Sequence, residues 1–236
     1  MAAKKLNVSE AIAFGWRGVW RRFWFWLGVL AIMFGVQFAL QFLQGGFGVL
    51  GDRGVFLPFA IGGFGIFFLV ALALQLVFAL GLLRIAITVV DGGEPRYGML
   101  LSEYKLIWRF IGSSLLYGVI LWFGFLLLII PGIIWGLMFM FYRYSLVDKN
   151  MSVFDSLSRS REMTRGVKWQ LMGLFILLYF INVLGAMLFG LGLLVTIPLS
   201  WLATAHAYRQ LEPRAAKRPS GLVATRVLES AVVGES

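Results

Sequence analysis

The residues able to do chemistry are few in this sequence. It has one histidine, His206, and no cysteine, so disulfides, thiolate metal sites and cysteine nucleophiles are excluded. It contains no phosphate-binding loop, nucleophile elbow, zinc-binding HExxH motif or dinucleotide-binding glycine fingerprint. His206 lies three residues before Arg209, where a histidine is either a packing residue or a proton-sensitive group near lipid head groups. We therefore expect no enzymatic activity, no cofactor and no metal site.

Basic side chains offer a different chemistry, the binding of anionic lipid head groups. The stretch Met151–Trp169 has the pattern of an amphipathic helix. Each basic side chain near an anionic membrane surface contributes ~1 kcal/mol of attraction. We expect such contacts from Arg159, Arg161, Arg165 and Lys168. The alternative is that these four residues only set the orientation of the chain in the membrane.

Composition identifies the elements that must position these residues. Hydrophobic residues make up 60% of the chain and charged residues 14%, against about 45–50% and about 25% in soluble domains. The apolar residues also form long blocks, which predicts a multi-pass membrane protein. The net charge of +10 then reflects topology and anionic lipids, so we expect membrane lipids and no nucleic acid as partners.

The distribution of charge predicts how often the chain crosses the membrane. All Lys and Arg residues except Arg53 fall in four segments that flank the apolar blocks. Short basic loops stay in the cytoplasm, so each block between them must cross an even number of times. The expected fold is all-α, with six spans as three hairpins, near 23–43, 57–83, 107–130, 132–148, 169–189 and 192–210. Residues 1–22 are predicted to form a cytoplasmic amphipathic helix, and 212–236 a disordered cytoplasmic tail.

The apolar block Phe110–Tyr142 is the ambiguous one, because it is either one kinked helix or a hairpin. Its 33 residues would make a rod of ~50 Å, too long for a hydrocarbon core of ~30 Å. We therefore predict a hairpin with Pro131 and Gly132 at its turn. Gly136 and Pro198 are further predicted packing or turn positions, since small residues let membrane helices approach closely.

A weak threefold repeat accompanies the hairpins. Asn7, Asp91 and Ser152 each resemble a helix start, although Pro95 interrupts the second copy. A tryptophan follows the acidic residue of each start by fourteen positions, and these are Trp24, Trp108 and Trp169. Tryptophan is enriched at membrane boundaries. Each unit would therefore be an interfacial helix, a tryptophan anchor and a hairpin.

Part of the chain resembles a known class of proteins. The motifs are LLLIIPGIIWGLMFMFYRYSLVDKN, SLSRSREMTRGVKWQL and LFGLGLLVTIPLSWLATAHAYRQL, within Arg109–Leu211. They resemble uncharacterised bacterial six-helix membrane proteins, which are similar to the membrane domain of some glycerophosphoryl diester phosphodiesterases. The resemblance implies no assigned activity. The phosphodiesterase acts through a separate soluble barrel, whose catalytic residues carry over onto none of these residues.

The predicted function is therefore organisation rather than catalysis. We expect a non-catalytic protein of the bacterial cytoplasmic membrane, with both termini in the cytoplasm, that organises lipids or partner proteins or forms homo-oligomers. The alternative is a channel or permease for an uncharged or lipidic substrate. That alternative requires the polar side chains of the spans to converge on one cavity. These are Gln37, Gln41, Gln75, Ser113, Ser114, Asn182, Thr196, Ser200 and Thr204.

Overall fold

The protein is a bundle of nine α-helices within the part of the chain that the structure describes. A computed structural model gives residues 6–52, 57–188 and 190–216, with side chains omitted for 43–52, 57–65 and 213–216. The helices are α1 Val8–Arg21, α2 Phe23–Asp52, α3 Leu57–Val90, α4 Ile107–Leu127, α5 Ile129–Phe139, α6 Tyr142–Lys149, α7 Val153–Thr164, α8 Lys168–Met187 and α9 Leu193–Ala216. Two 3-10 helices, Tyr97–Leu101 and Tyr104–Leu106, precede α4. No β-strand occurs in these ranges.

Five stretches of the described chain are long and apolar enough to cross a membrane, which indicates a multi-pass membrane protein. They are Phe23–Phe42, Ile66–Val90, Tyr97–Leu127, Ile129–Lys149 and Lys168–Met187. Helix α9, which covers the predicted sixth span, is not among them. Its sequence includes His206, Arg209 and several hydroxyl side chains, which lower its mean hydropathy.

The two amphipathic helices begin at the predicted capping residues. The Asn7 side chain accepts a hydrogen bond from the Glu10 backbone N–H (3.2 Å) at the start of α1. The Ser152 hydroxyl does the same for Asp155 (3.3 Å) at the start of α7. Such caps satisfy one of the donors that a helix start leaves without an intrahelical partner.

The predicted helix start at Asp91 is wrong. Helix α3 continues past Arg84 to Val90, and the Asp91 N–H donates back to the Ile87 carbonyl (2.9 Å) as the helix ends. Gly92 follows with φ of +80°, the left-handed conformation that commonly terminates a helix. The middle unit of the proposed repeat therefore has 3-10 helices where the other two units have α1 and α7.

Two helices extend beyond other predicted boundaries. The predicted first span near 23–43 agrees with the apolar stretch Phe23–Phe42, and α2 remains helical to Asp52. The tail was predicted to begin at 212, but α9 extends to Ala216. The remainder of that tail, residues 217–236, lies outside the described residues, as do residues 1–5 of the predicted N-terminal helix and Phe189 at the end of the predicted fifth span.

The third apolar block is broken into two helices, as a hairpin requires. The break lies at Leu128, which is extended (φ −173°, ψ 154°), three residues before the predicted turn at Pro131. Pro131 instead occupies the first turn of α5, where its missing N–H has no intrahelical partner to lose. Gly132 faces α4, since a Cβ there would lie 2.6 Å from the Phe125 ring, and Tyr117 donates to the Gly136 carbonyl (3.2 Å).

Helix α9 forms the centre of the bundle. Its residues Leu199, Leu202, Ala203, Tyr208 and Leu211 are buried, and α1 lies along it. A Cβ on Gly15 of α1 would lie 2.8 Å from the Leu199 carbonyl oxygen, so this contact is between backbones. Pro198 is buried inside α9, which continues through it.

Hydrogen bonds bring several distant parts of the chain to one end of the bundle. Leu6 N–H donates to the Gln170 side chain at the start of α8 (3.1 Å), and Asn7 N–H donates to Gln210 near the end of α9 (2.9 Å). Arg109 at the start of α4 donates to the Asn150 side chain beyond α6 (2.8 Å). We call the end of the bundle that holds Leu6, Arg109, Asn150, Gln170 and Gln210 the basic end. Helix α1 and the arginines of α7 also lie there.

Candidate lipid-contact surface

Helix α1 presents two different faces. Ala11, Gly15 and Val19 are buried against the bundle. Trp16 and Trp20, four residues apart on the outer side, are 50% and 53% exposed, and their rings meet edge to face at 5.7 Å. The aromatic row continues through Phe23 to Trp24, with ring centroids 5.6 and 5.7 Å apart. Exposed tryptophans of this kind sit at the head-group level of membranes.

Three arginines accompany this aromatic row. Arg17 and Arg21 are exposed and Arg22 is half-buried. They line a cavity of about 700 Å³ between α1 and the end of α3, together with Phe14, Trp16, Gly18, Trp20, Val89, Val90 and Gly92. No carboxylate lines this cavity, and within the described residues none of the three arginines forms an ion pair. The cavity is therefore suited to an anionic group beside an apolar one.

The arginines predicted to contact lipid lie on α7 and just beyond it. Arg161 and Arg165 are exposed and Arg159 is half-buried. Asp155 accepts a hydrogen bond from the Ser152 hydroxyl (2.7 Å), and within the described residues Arg159 forms no ion pair. These three arginines remain predicted head-group contacts.

Lys168 lies apart from the three arginines, in an apolar groove between α5 and α8. The groove has a volume of about 290 Å³ and is lined by Ile130, Ile133, Ile134, Leu137, Trp169 and Met172. Its lining has the character of an acyl-chain site with one cation. The Trp169 ring beside Lys168 is 80% exposed, close to the 79% of Trp24 and of Trp108.

The inner face of α7 is polar, and it holds the helix to the bundle. Ser160 donates to the Met138 carbonyl (3.0 Å) and accepts from the Phe141 N–H (3.0 Å). Thr164 also donates to the Met138 carbonyl (3.0 Å). These bonds satisfy the Met138 carbonyl and the Phe141 N–H at the break between α5 and α6. They fix the position of α7 and with it the direction of its arginines.

An ion-pair network joins three helix ends at the basic end. Arg209 of α9 binds Asp148 of α6 through two hydrogen bonds (2.7 and 2.8 Å) and Asp91 after α3 through two more (2.8 and 2.6 Å). Glu212 accepts from Arg209 (2.6 Å) and pairs with Lys149 (2.9 Å). Burial would raise the pKa of the Glu212 carboxyl, but hydrogen bonds from Lys149 and Arg209 outweigh it and lower that pKa.

His206 packs against α1 in this arrangement. Its ring stacks on Phe14 of α1 with a centroid distance of 4.5 Å. Its Nε2 atom lies 3.8 Å from a Glu10 carboxylate oxygen, too far for a hydrogen bond. Among the described residues no set of three or more metal-ligating side chains comes together.

Several polar side chains of the spans bond to neighbours, and in the described structure these residues do not line one common cavity. Gln75 donates to Gln37 (3.0 Å), and Asn182 donates to Ser200 (2.7 Å). Ser113 and Thr204 each donate to the backbone carbonyl four residues earlier (2.8 and 2.7 Å). This is the behaviour of polar residues that join membrane helices.

Sequence reasoning missed the α1 arginines and the Arg209 network. The spacing of Trp16 with Trp20 and of Arg17 with Arg21 is the signal that would have revealed the first. No comparable signal exists for most of the network, because Arg209 lies 61 residues from Asp148 and 118 from Asp91. No family model, curated protein or solved structure matches this chain.

Proposed function

We propose that this chain is a non-catalytic membrane protein that gathers anionic lipids around its basic end. One observation carries the proposal. Arg17, Arg21 and Arg22 line a cavity of about 700 Å³ beside Trp16 and Trp20 and have no carboxylate partner in it. An arginine left without a protein anion can give its planar set of N–H donors to a phosphate.

The energetics favour a membrane surface as the partner. Three arginines at ~1 kcal/mol each give an attraction of about 3 kcal/mol for an anionic surface. The exposed tryptophans anchor the same helix at the head-group level. This basic surface would be extended by Arg159, Arg161 and Arg165. Lys168 would add a cation at the apolar groove between α5 and α8.

We also propose six spans, with α9 as the sixth, and both termini in the cytoplasm of a bacterial cell. Helix α9 has 24 residues, which make ~36 Å and exceed the ~30 Å hydrocarbon core. It is less apolar than the other spans because neighbouring helices cover it and few of its side chains need to face lipid. Contacts at the basic end among α1, α4, α6, α8 and α9 support an even number of crossings between them.

Single cysteines test the crossings by α4, α5 and α8 in this topology, since the chain has no cysteine of its own. Ser158 and Ser102 are exposed at the basic end, and Leu128 and Leu191 lie at the opposite turns. We expect a membrane-impermeant maleimide to label Ser102→Cys and Ser158→Cys only from the cytoplasmic side. Leu128→Cys and Leu191→Cys should react only from the other side. Labelling of Ser158→Cys and Leu191→Cys from the same side would refute the six-span layout.

Lipid analysis tests the proposed function. The full chain is extracted into polymer nanodiscs, and the ratio of phosphatidylglycerol to phosphatidylethanolamine is compared with that of the source membrane. We expect enrichment of phosphatidylglycerol, lost when Arg17, Arg21 and Arg22 are all changed to Gln. The triple change of Arg159, Arg161 and Arg165 is the charge-matched comparison and tests the predicted α7 contacts separately. A wild-type ratio equal to the bulk, or enrichment that survives the α1 change, would refute the proposal.

A further inference from the structure

Arg143 is an unusual arginine, because it lies within a membrane-spanning stretch and has no acidic partner. It belongs to Ile129–Lys149 and precedes Lys149 by six residues, which is ~9 Å along a helix. Its side chain is exposed. Within the described residues it forms no ion pair. A charged side chain at this depth is costly and is usually kept for a function.

The guanidinium of Arg143 is held by neutral groups. Its Nε donates to the Tyr142 hydroxyl (3.0 Å), and that hydroxyl also bonds Ser114 (2.8 Å). The guanidinium carbon lies 5.4 Å from the centre of the Phe110 ring and 5.5 Å from that of Tyr142. Ring contacts of this kind favour a cation but do not neutralise it. The two terminal nitrogens make no hydrogen bond in the described structure, so they remain free to bind an anion.

Arg143 opens onto a cavity of about 430 Å³ within the bundle. The cavity is lined by residues of α3, α4, α8, α9 and the α5–α6 segment, among them Ala79, Phe110, Tyr144, Phe175, Trp201 and Thr204. This volume is within the range of ligand pockets, about 300–1,000 Å³. The lining has one cation, a few hydroxyl groups and otherwise apolar side chains. It has no carboxylate.

We propose that this cavity binds one phospholipid. The lipid phosphate would bind the terminal nitrogens of Arg143, and an acyl chain would lie along the apolar lining. Phosphate is the anion that the bilayer supplies at the interface toward which Arg143 extends, and the guanidinium fork matches its oxygens. Long basic side chains near helix ends reach toward the interface where these phosphates lie. This site is separate from the α1 surface, and the inference does not rest on the function proposed above.

A matched set of variants separates the effect of the Arg143 charge from the effect of the shape of the cavity. Arg143→Gln removes the cation from a side chain that is already exposed. Ala79→Leu fills part of the cavity and leaves Arg143 in place. Arg96→Gln removes an exposed arginine that does not line the cavity, and it is the control.

The experiment is titration of the delipidated full chain with dioleoylphosphatidylglycerol, followed by native mass spectrometry. A diazirine-bearing form of the same lipid locates the site by peptide mapping. We expect crosslinks at Phe175 or Trp201 and affinity at this site about tenfold or more lower in Arg143→Gln, as for a lost charge-assisted hydrogen bond. Ala79→Leu should weaken crosslinking similarly, and Arg96→Gln should leave it unchanged. Retention of wild-type affinity and crosslinks by Arg143→Gln would overturn the proposal.

Two competitors distinguish the source of the phosphate. Dioleoylglycerol has the same chains without phosphate, and glycerol 3-phosphate has the phosphate without chains. Each competitor is added before irradiation at a concentration equal to that of the diazirine lipid, and we expect neither to lower the yield of the crosslink. Displacement by dioleoylglycerol would show that Arg143 does not bind the phosphate. Displacement by glycerol 3-phosphate would show a site for soluble anions, and either result would overturn the lipid assignment. The variant with Arg17, Arg21 and Arg22 changed to Gln should keep the crosslink, which separates this site from the α1 surface.

Discussion

Replacing Arg209 with methionine should destabilise the bundle more than removal of any single acid of its network. Arg209 binds Asp148 and Asp91 through two hydrogen bonds each and Glu212 through one. The three acids come from different parts of the chain, so one side chain ties the ends of α3 and α6 to α9. Methionine keeps much of the length of the side chain and removes all five bonds.

The magnitude follows from the burial of the acids that are left behind. The Asp148 side chain is only 8% exposed and the Glu212 side chain 17%. Leaving one partner of a buried ion pair uncompensated costs about 3–5 kcal/mol. Lys149 still lies 2.9 Å from Glu212 and 3.6 Å from Asp148, so we expect a cost at the lower end of this range, about 3 kcal/mol. In a chain of this size 1 kcal/mol shifts the melting temperature by about 2–4 °C, which gives a decrease of about 6–12 °C.

Thermal unfolding of the purified full chain in one detergent, followed by circular dichroism, measures this decrease. Asp91→Asn is the matched control, because the Asp91 side chain is 47% exposed and exposed ion pairs are worth about 0–1 kcal/mol. The double variant Arg209→Met with Asp148→Asn removes the cation and its most buried acid together. It should be more stable than Arg209→Met alone, because less uncompensated charge is left in the bundle.

Two results would refute this reasoning. If Arg209→Met melts within about 2 °C of the wild type, the network is not holding the helix ends together. If Asp91→Asn is as damaging as Arg209→Met, the loss does not come from the buried acid, and the difference in exposure between Asp91 and Asp148 is irrelevant to stability.

Three further predictions concern the bonds that position the basic end and the turns. Ser160→Ala should lower the free energy of unfolding by about 1–3 kcal/mol, because the Met138 carbonyl and the Phe141 N–H lose a buried hydrogen-bond partner. The exposed change Ser158→Ala is the control and should have little effect in the same melting assay. Gly192→Ala should lower the free energy of unfolding by about 1–3 kcal/mol through overpacking, since the new Cβ would lie 2.6 Å from the Gly185 Cα. Gly118→Ala is the control and should be neutral or stabilising, because a Cβ there meets nothing within 4 Å. The lowered pKa of Glu212 stabilises the fold fully above its unfolded-state pKa of about 4.3, and this contribution is lost as the pH falls through the folded-state value. The melting temperature of the wild type should therefore fall more steeply below about pH 4.3 than that of Glu212→Gln, and parallel curves would contradict the assignment.

Local signals in the sequence predicted the features that depend on neighbouring residues. The caps at Asn7 and Ser152 act within three residues, so residue type alone identifies them. The hairpin near Pro131 follows from the length of one apolar block, and only its turn is misplaced by three residues. The exposed positions of Trp24, Trp108 and Trp169 follow from their place at the start of each block.

The Asp91 error shows where local signals fail. An acid followed by glycines and a second acid fits a helix start by residue type, but the preceding helix extends to Val90 and ends on this segment. Tertiary contacts therefore decide whether the Asp91 segment starts a helix or follows the end of α3. Asp91 is placed where the end of α3 reaches Arg209, 118 residues later in the chain, and no local pattern records that distance.

The same argument explains why α9 is less apolar than α2, α3, α4, α5 and α8. A span that faces lipid must be apolar around its outer side, because lipid offers no hydrogen bonds. A central span can carry polar residues if its neighbours or its own backbone satisfy them. Asn182 of α8 donates to Ser200, and Ser200 donates to the Thr196 carbonyl (2.8 Å). The low hydropathy of α9 is therefore what its central position in the bundle permits.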